Sequence, residues 1–203
     1  MQHSTPQKIL INGPVGKLES VVNDPGEDRH GIALIAHPHS LFGGTLDNKV
    51  VNTLAKAFFE LGYVAVRPNL RGAGNSQGSF DDGKGETQDM LAVAEHAKGQ
   101  FGNLPFVLAG FSFGAFVQSR VVKQLPAEKL VLVAPAVGRI DVGNVPANTL
   151  VIHGDQDEVV PMAEVLAWAQ AQGLQVRVLP GASHFFHGRL PELKQIVLDA
   201  FRC

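Results

Sequence analysis

The chain has 203 residues, 45% of them hydrophobic and 18% charged, with a formal net charge of -2. That length suits a single domain, residues 1–203, with a sizeable core. The charge balance offers no basic surplus for nucleic acid or an anionic lipid surface, and no run approaches the ~20 apolar residues of a membrane helix. The one cysteine, Cys203, leaves no internal disulfide, and MQHSTPQKIL at the start lacks the basic-then-apolar pattern of a secretory leader. Both features point to the cytoplasm.

In chain order, QKILIN and KLESVVND read as edge strands joined by the turn signal GPVG. GIALIAH is a continuous apolar run, suited to a strand buried on both faces. Val50, Leu54 and Phe58 then recur at a spacing of four, as do Val51, Ala55 and Phe59. This spacing predicts an amphipathic helix, with Gly62 as its stop. YVAVRPN is the next strand, followed by the polar loop LRGAGNSQGSFDDGKG and a helix from about Glu86 to Lys98. PFVLAG is a strand, and FGAFVQSRVVKQL a helix that ends before Pro126. KLVLVAP and NTLVIHG are strands joined by the short loop AVGRIDVGNVPA. Pro161 suits the first position of a helix that Gly173 ends. LQVRVLPG is a strand, and a last helix from near Pro191 buries Leu193, Ile196, Val197 and Phe201. The alternation implies an α/β fold: a mostly parallel central sheet with helices on both faces. Function in such sheets collects in loops at the carboxyl ends of the strands.

Those loops carry the chemistry. GFSFG, residues 110–114, fills G-x-S-x-G between an apolar strand and a helix. A sharp strand-to-helix turn holds its serine in a strained conformation, and side chains two residues before and after would clash. A serine hydroxyl needs a general base that is itself oriented by a carboxylate. HGDQDEVVP supplies Asp155, Asp157 and Glu158, and PGASHFFHG supplies His184 and His187. GSFDDGKG misses the phosphate-loop pattern, because Gly85 stands where a hydroxyl is needed and Asp81 and Asp82 would repel phosphate. His37 and His39 lack a nearby third ligand in sequence, so no metal or other cofactor is implied. Arg71 reads as an ion-pair partner within the fold, with substrate anchoring as the alternative.

With GFSFG, HGDQDEVVP and GASHFF in this order, the chain resembles the α/β-hydrolases. It is especially similar to the small cap-less bacterial serine hydrolases near the dienelactone hydrolases, whose loops resemble AHPHSLFGG and RPNLRGAGNSQG here. The resemblance implies Ser112 as nucleophile, where the dienelactone group usually has cysteine. It carries the acid to Asp157 rather than Asp155 and the base to His184 rather than His187. It implies an oxyanion hole from the N–H groups of Phe113 and His39, with Ser40 as the alternative to His39. The expected activity is hydrolysis of a small soluble ester or thioester, without a cap over the site. A lactone hydrolase, a peptidase and a non-catalytic binding protein on the same scaffold are the alternatives.

Overall fold

The computed structural model describes residues 5–202. The disulfide reading of Cys203 and the beginning of the leader reading lie outside the described residues. Eight strands form one sheet in the order β1-β2-β4-β3-β5-β6-β7-β8. The strands are β1 (Gln7–Gly13), β2 (Gly16–Asn23), β3 (Gly31–Ala36), β4 (Tyr63–Pro68), β5 (Phe106–Phe111), β6 (Lys129–Val133), β7 (Leu150–Gly154) and β8 (Val176–Leu179). The hairpin β1–β2 adds to the sheet antiparallel, and β3 to β8 are mutually parallel. Only β1 of that hairpin is an edge. β2 pairs with β4 on its other side, and its Leu18, Ser20 and Val22 are buried, so the expectation of two edge strands is corrected for β2.

The continuous apolar runs divide their side chains between two cores. From β3, Ile32, Leu34 and Ala36 join one core, while Ala33 and Ile35 join the other. On the first face lie α2 (Lys84–Phe101), α3 (Phe113–Val121) and α4 (Met162–Gln170). On the second, α1 (Lys49–Glu60) packs against α5 (Leu190–Phe201). The spacing-of-four pattern of α1 is realised by Val50, Val51, Leu54, Ala55 and Phe58, all buried. In α5 the buried residues are Leu193, Val197 and Leu198, with Ile196 and Phe201 packed at the margin.

Helix ends depart from the sequence pattern where side chains intervene. α2 starts at Lys84 because Glu86 reaches back and accepts the N–H groups of Asp81 and Gly83, both at 2.8 Å. α3 ends at Val121, four residues before the expected stop, and Pro161 caps α4 rather than occupying its first turn. The loop after β4 is pinned to the sheet: Ser76 donates to the Asn69 carbonyl, and Glu19 accepts from Asn69 and Asn75.

From β3 the chain steps to β4 on one side, whereas β5 to β8 build out on the other. The loops after β3 and β5 therefore diverge, and the crevice between them is the switch point of the sheet.

Backbone packs closely at the carboxyl end of β5. A Cβ on Gly110 would collide with the Gly114 carbonyl, and one on Gly114 with the carbonyl of Ala36 at the end of β3. Gly114→Ala is expected to cost more than about 2 kcal/mol, because the backbone at the end of β3 or at the start of α3 would have to move. Gly99, on the exposed face of α2 with open space around it, makes the contrast. Gly99→Ala should add about 0.5–1 kcal/mol. Urea unfolding of the two variants checks both signs.

Candidate active site

Ser112 stands between β5 and α3 with φ 54° and ψ -115°. For a residue with a Cβ this backbone region costs on the order of 1–3 kcal/mol, and the surroundings must enforce it. They do so through the Ser112 N–H, which donates to the Val133 carbonyl on β6 at 2.9 Å, and through the glycine contacts below and beside it. The turn lifts the hydroxyl out of the sheet toward the loops after β7 and β8.

Those loops bring Asp157 and His184 to it. His184 Nε2 lies 3.2 Å from Ser112 Oγ, and His184 Nδ1 lies 2.7 Å from Asp157 Oδ2. The Asp157 side chain is fully enclosed. Burial pushes its carboxyl pKa up, but the hydrogen bond from His184 and the N–H groups of Val160 and Val159 outweigh this and hold it below the usual value. An ionised acceptor at Nδ1 keeps the ring proton there and leaves Nε2 to accept from the serine hydroxyl.

The alternatives lie elsewhere. Asp155 accepts the Gly181 N–H at 2.6 Å, tying the loop after β7 to that after β8. His187 is exposed and sits against Phe185. Glu158, one of the three carboxylates of its loop, accepts the backbone N–H of His184 at 3.2 Å and so helps to set the histidine loop.

His39 and Phe113 line the same cavity as Ser112 and His184; Ser40 is not among its lining residues. Phe113 is the first residue of α3, where backbone N–H groups have no partner within the helix. The His39 carbonyl accepts from Phe42 and Gly44, at 3.1 and 3.0 Å, so a 3-10 turn (Ser40–Phe42) closes on it, while the Pro38–His39 peptide that carries the His39 N–H is held at its carbonyl by His37 Nδ1. The His39 ring packs against Phe80, Phe42 and Phe113.

His37 is engaged differently. Its Nε2 accepts the Leu70 N–H at 3.0 Å, and its Nδ1 donates to the Pro38 carbonyl at 2.6 Å. It thus ties the loop after β3 to the loop after β4. Among the described residues no group of three His, Cys, Asp or Glu could hold a metal ion. Arg71 binds both carboxylate oxygens of the buried Asp89, at 3.0 and 2.8 Å, and its guanidinium lies where a Cβ of Gly85 would be. Arg71 is a structural ion-pair partner, and the glycine is there to admit it.

The cavity has a volume of about 520 Å³. Besides the residues already named, its walls include Asn48, Arg139, Ile140, Val159 and Phe185. Sequence reasoning did not single these out. Arg139 and Ile140 belong to the connection between β6 and β7, residues 134–149, which runs without helix or strand and forms no cap.

Comparison with known proteins agrees with this architecture. A family model described as Hydrolase_4, serine aminopeptidase S33, matches residues 43–148, a span that includes Ser112 and ends before Asp157 and His184. An uncharacterized protein of Rickettsia prowazekii is 30% identical over 95% of this chain and 87% of its own length. An α/β serine hydrolase without a lid from Xanthomonas campestris superposes with a TM-score of 0.92 at 39% identity, covering 100% of this chain and 96% of that one. A serine hydrolase homologue from Coxiella burnetii gives a TM-score of 0.90 at 41% identity, covering 98% and 99%. The chain belongs to the α/β-hydrolase family, and within it to the cap-less serine hydrolases.

Burial of His37 pushes its pKa down from 6.5 to about 4, which gives a stability prediction. The folded ring stays neutral while the unfolded one takes a proton below 6.5. This contribution is therefore present above pH 6.5 and lost as the pH falls toward 4, up to about 3 kcal/mol. His39 and His153, also held down by burial, act in the same sense. Urea unfolding between pH 7 and pH 4.5 should show stability falling with pH, and His37→Gln should flatten that slope. An unchanged slope in the variant would contradict the assignment.

Proposed function

We propose that the protein hydrolyses carboxylic ester or thioester bonds of small substrates through an acyl-enzyme on Ser112. The observation that carries this reading is the hydrogen-bonded chain Ser112 Oγ, His184, Asp157 at 3.2 and 2.7 Å, at the mouth of a cavity of about 520 Å³.

In the proposed reaction Ser112 Oγ attacks the carbonyl carbon and His184 Nε2 takes its proton. Asp157 holds the ring and offsets the charge of the imidazolium. The N–H groups of Phe113 and His39 donate to the oxyanion, and the N-terminus of α3 adds its partial positive charge. The carbon–oxygen or carbon–sulfur bond to the leaving group breaks, and His184 returns the proton to the departing alcohol or thiol. A water molecule then attacks the acyl carbon and gives its proton to His184, which passes it to Ser112 Oγ as the carboxylic acid leaves. Each step uses groups supplied by this chain, the substrate and water.

The family description favours a second reading, aminopeptidase activity. Recognition of an α-ammonium group calls for a carboxylate near the nucleophile, and among the described residues no Asp or Glu lines the cavity. Ester or thioester hydrolysis is therefore preferred. The intact charge chain likewise weighs against a non-catalytic binding protein.

Ser112→Ala should lower kcat/KM for a p-nitrophenyl ester by about a thousandfold or more, with an unchanged fold by circular dichroism. His184→Ala and Asp157→Asn should be comparably severe. His187→Ala should be mild, and so should Asp155→Asn, since an amide oxygen still accepts from Gly181. A dead His187 variant beside an active His184 variant would overturn the assignment of the base.

A short-chain triglyceride tests the open site. Leu41 and Phe42 are exposed on the turn beside the cavity, and Phe185 is partly exposed on its wall, already in place without a covering element. The rate should pass through the solubility limit without a jump. A sharp rise there would reveal a segment that closes over the site.

A further inference from the structure

The cavity beside Ser112 is mostly apolar, yet among the described residues one permanently charged side chain lines it, Arg139. Arg139 is exposed, and its side chain is anchored to the protein at one point. Its Nε donates to the Val159 carbonyl at 2.9 Å. The N–H of Val159 in turn donates to Asp157 Oδ1 at 2.8 Å. The guanidinium is thereby tied to the loop that carries Asp157, with its two Nη groups left over. Among the described residues Arg139 forms no ion pair, and no carboxylate lines the cavity with it. Arg139 also borders an adjoining depression, where Asp141 and Glu164 lie; neither of these carboxylates lines the cavity of Ser112.

A planar guanidinium bound through Nε presents its remaining N–H groups as a fork that matches carboxylate and phosphate oxygens. An apolar wall lowers the local dielectric and strengthens such a pairing. We propose that Arg139 is a specificity residue, and that the substrate carries an anionic oxygen group, a carboxylate or a phosphate monoester, on the part that lies against the β6–β7 wall. This rests on the hydrolase reading above and narrows its substrate class: the ester is an anion with an apolar body, seated between Ile140 and Phe185.

Matched ester pairs test this. One pair is p-nitrophenyl hemiglutarate against p-nitrophenyl pentanoate, with the anion on the acyl side. Two others place a carboxylate or a phosphate on the aryl leaving group of an acetate ester, each against its neutral amide counterpart. For at least one pair, the ratio of kcat/KM for the anionic over the neutral ester should fall about tenfold in Arg139→Gln, the loss expected of one charge-assisted hydrogen-bonded pair at a half-open site. It should recover in part in Arg139→Lys and decline in the parent protein as salt is raised. The pair that responds identifies the group and its position. Ratios that stay within about twofold for every pair would overturn the proposal, as would equal loss on both members, which marks a purely structural arginine.

A binding measurement separates this proposal from the reaction it rests on. Ser112→Ala protein titrated with glutarate and with inorganic phosphate, followed by NMR, should show saturable binding of at least one probe that Arg139→Gln removes. Binding of this kind without turnover of any ester by the parent would overturn the hydrolase reading and leave the anion site standing. Absence of saturable binding would overturn the anion site.

Discussion

The organisation of this molecule follows from one close approach. Where β5 turns into α3, backbone meets backbone: Gly110 lies against the Gly114 carbonyl, and Gly114 against the carbonyl of Ala36 on β3. No side chain fits in either gap, so the chain spends two glycines there and places the residue between them in a left-handed conformation at φ 54°. The strain is held by sheet hydrogen bonds on both sides of β5 and by the bond from Ser112 N–H to Val133. The result is a rigid hydroxyl at the switch point of a parallel sheet, with a helix N-terminus beneath it.

Everything else in the site is brought to that fixed point by loops cross-linked to one another. Asp155 holds the loop after β8 through Gly181, and Glu158 holds it through the amide of His184. Asp157 is itself shaped by the N–H groups of Val159 and Val160. On the opposite side His37 joins the loop after β3 to Leu70, and the 3-10 turn closes on the His39 carbonyl. These links matter because loops are the mobile parts of a fold, and a misplacement of about 1 Å at the reacting atoms is costly to catalysis. Several of the polar side chains near the site therefore act on backbone rather than on a substrate.

The inner parallel strands β3, β5 and β6 were legible in the sequence as apolar runs, because burial on both faces leaves no room for alternation. The serine turn was legible for a related reason, since its steric demands fix glycine at two positions. The interior place of β2 was not legible, because its mixed pattern of Leu18, Glu19 and Ser20 resembles that of an edge strand until β4 is known to lie beside it. The ends of α2 and α3 depended on Glu86 and on packing, which spacing alone does not encode. Arg139 illustrates the larger gap: it lies in a connection without a motif, and only the fold brings it to the cavity of Ser112. Glu158 was visible as a carboxylate, but its bond to the His184 backbone depends on how two separate loops meet.

The central claim is that Ser112 is a nucleophile activated by the groups now hydrogen-bonded to it. Treatment of the purified protein with a fluorophosphonate, followed by intact-mass and peptide mass spectrometry, tests it directly. The account predicts one phosphonyl adduct per chain, located on Ser112 and formed far more slowly when His184 is replaced by alanine. An adduct on another residue, or labelling of Ser112 at the same rate without His184, would contradict it.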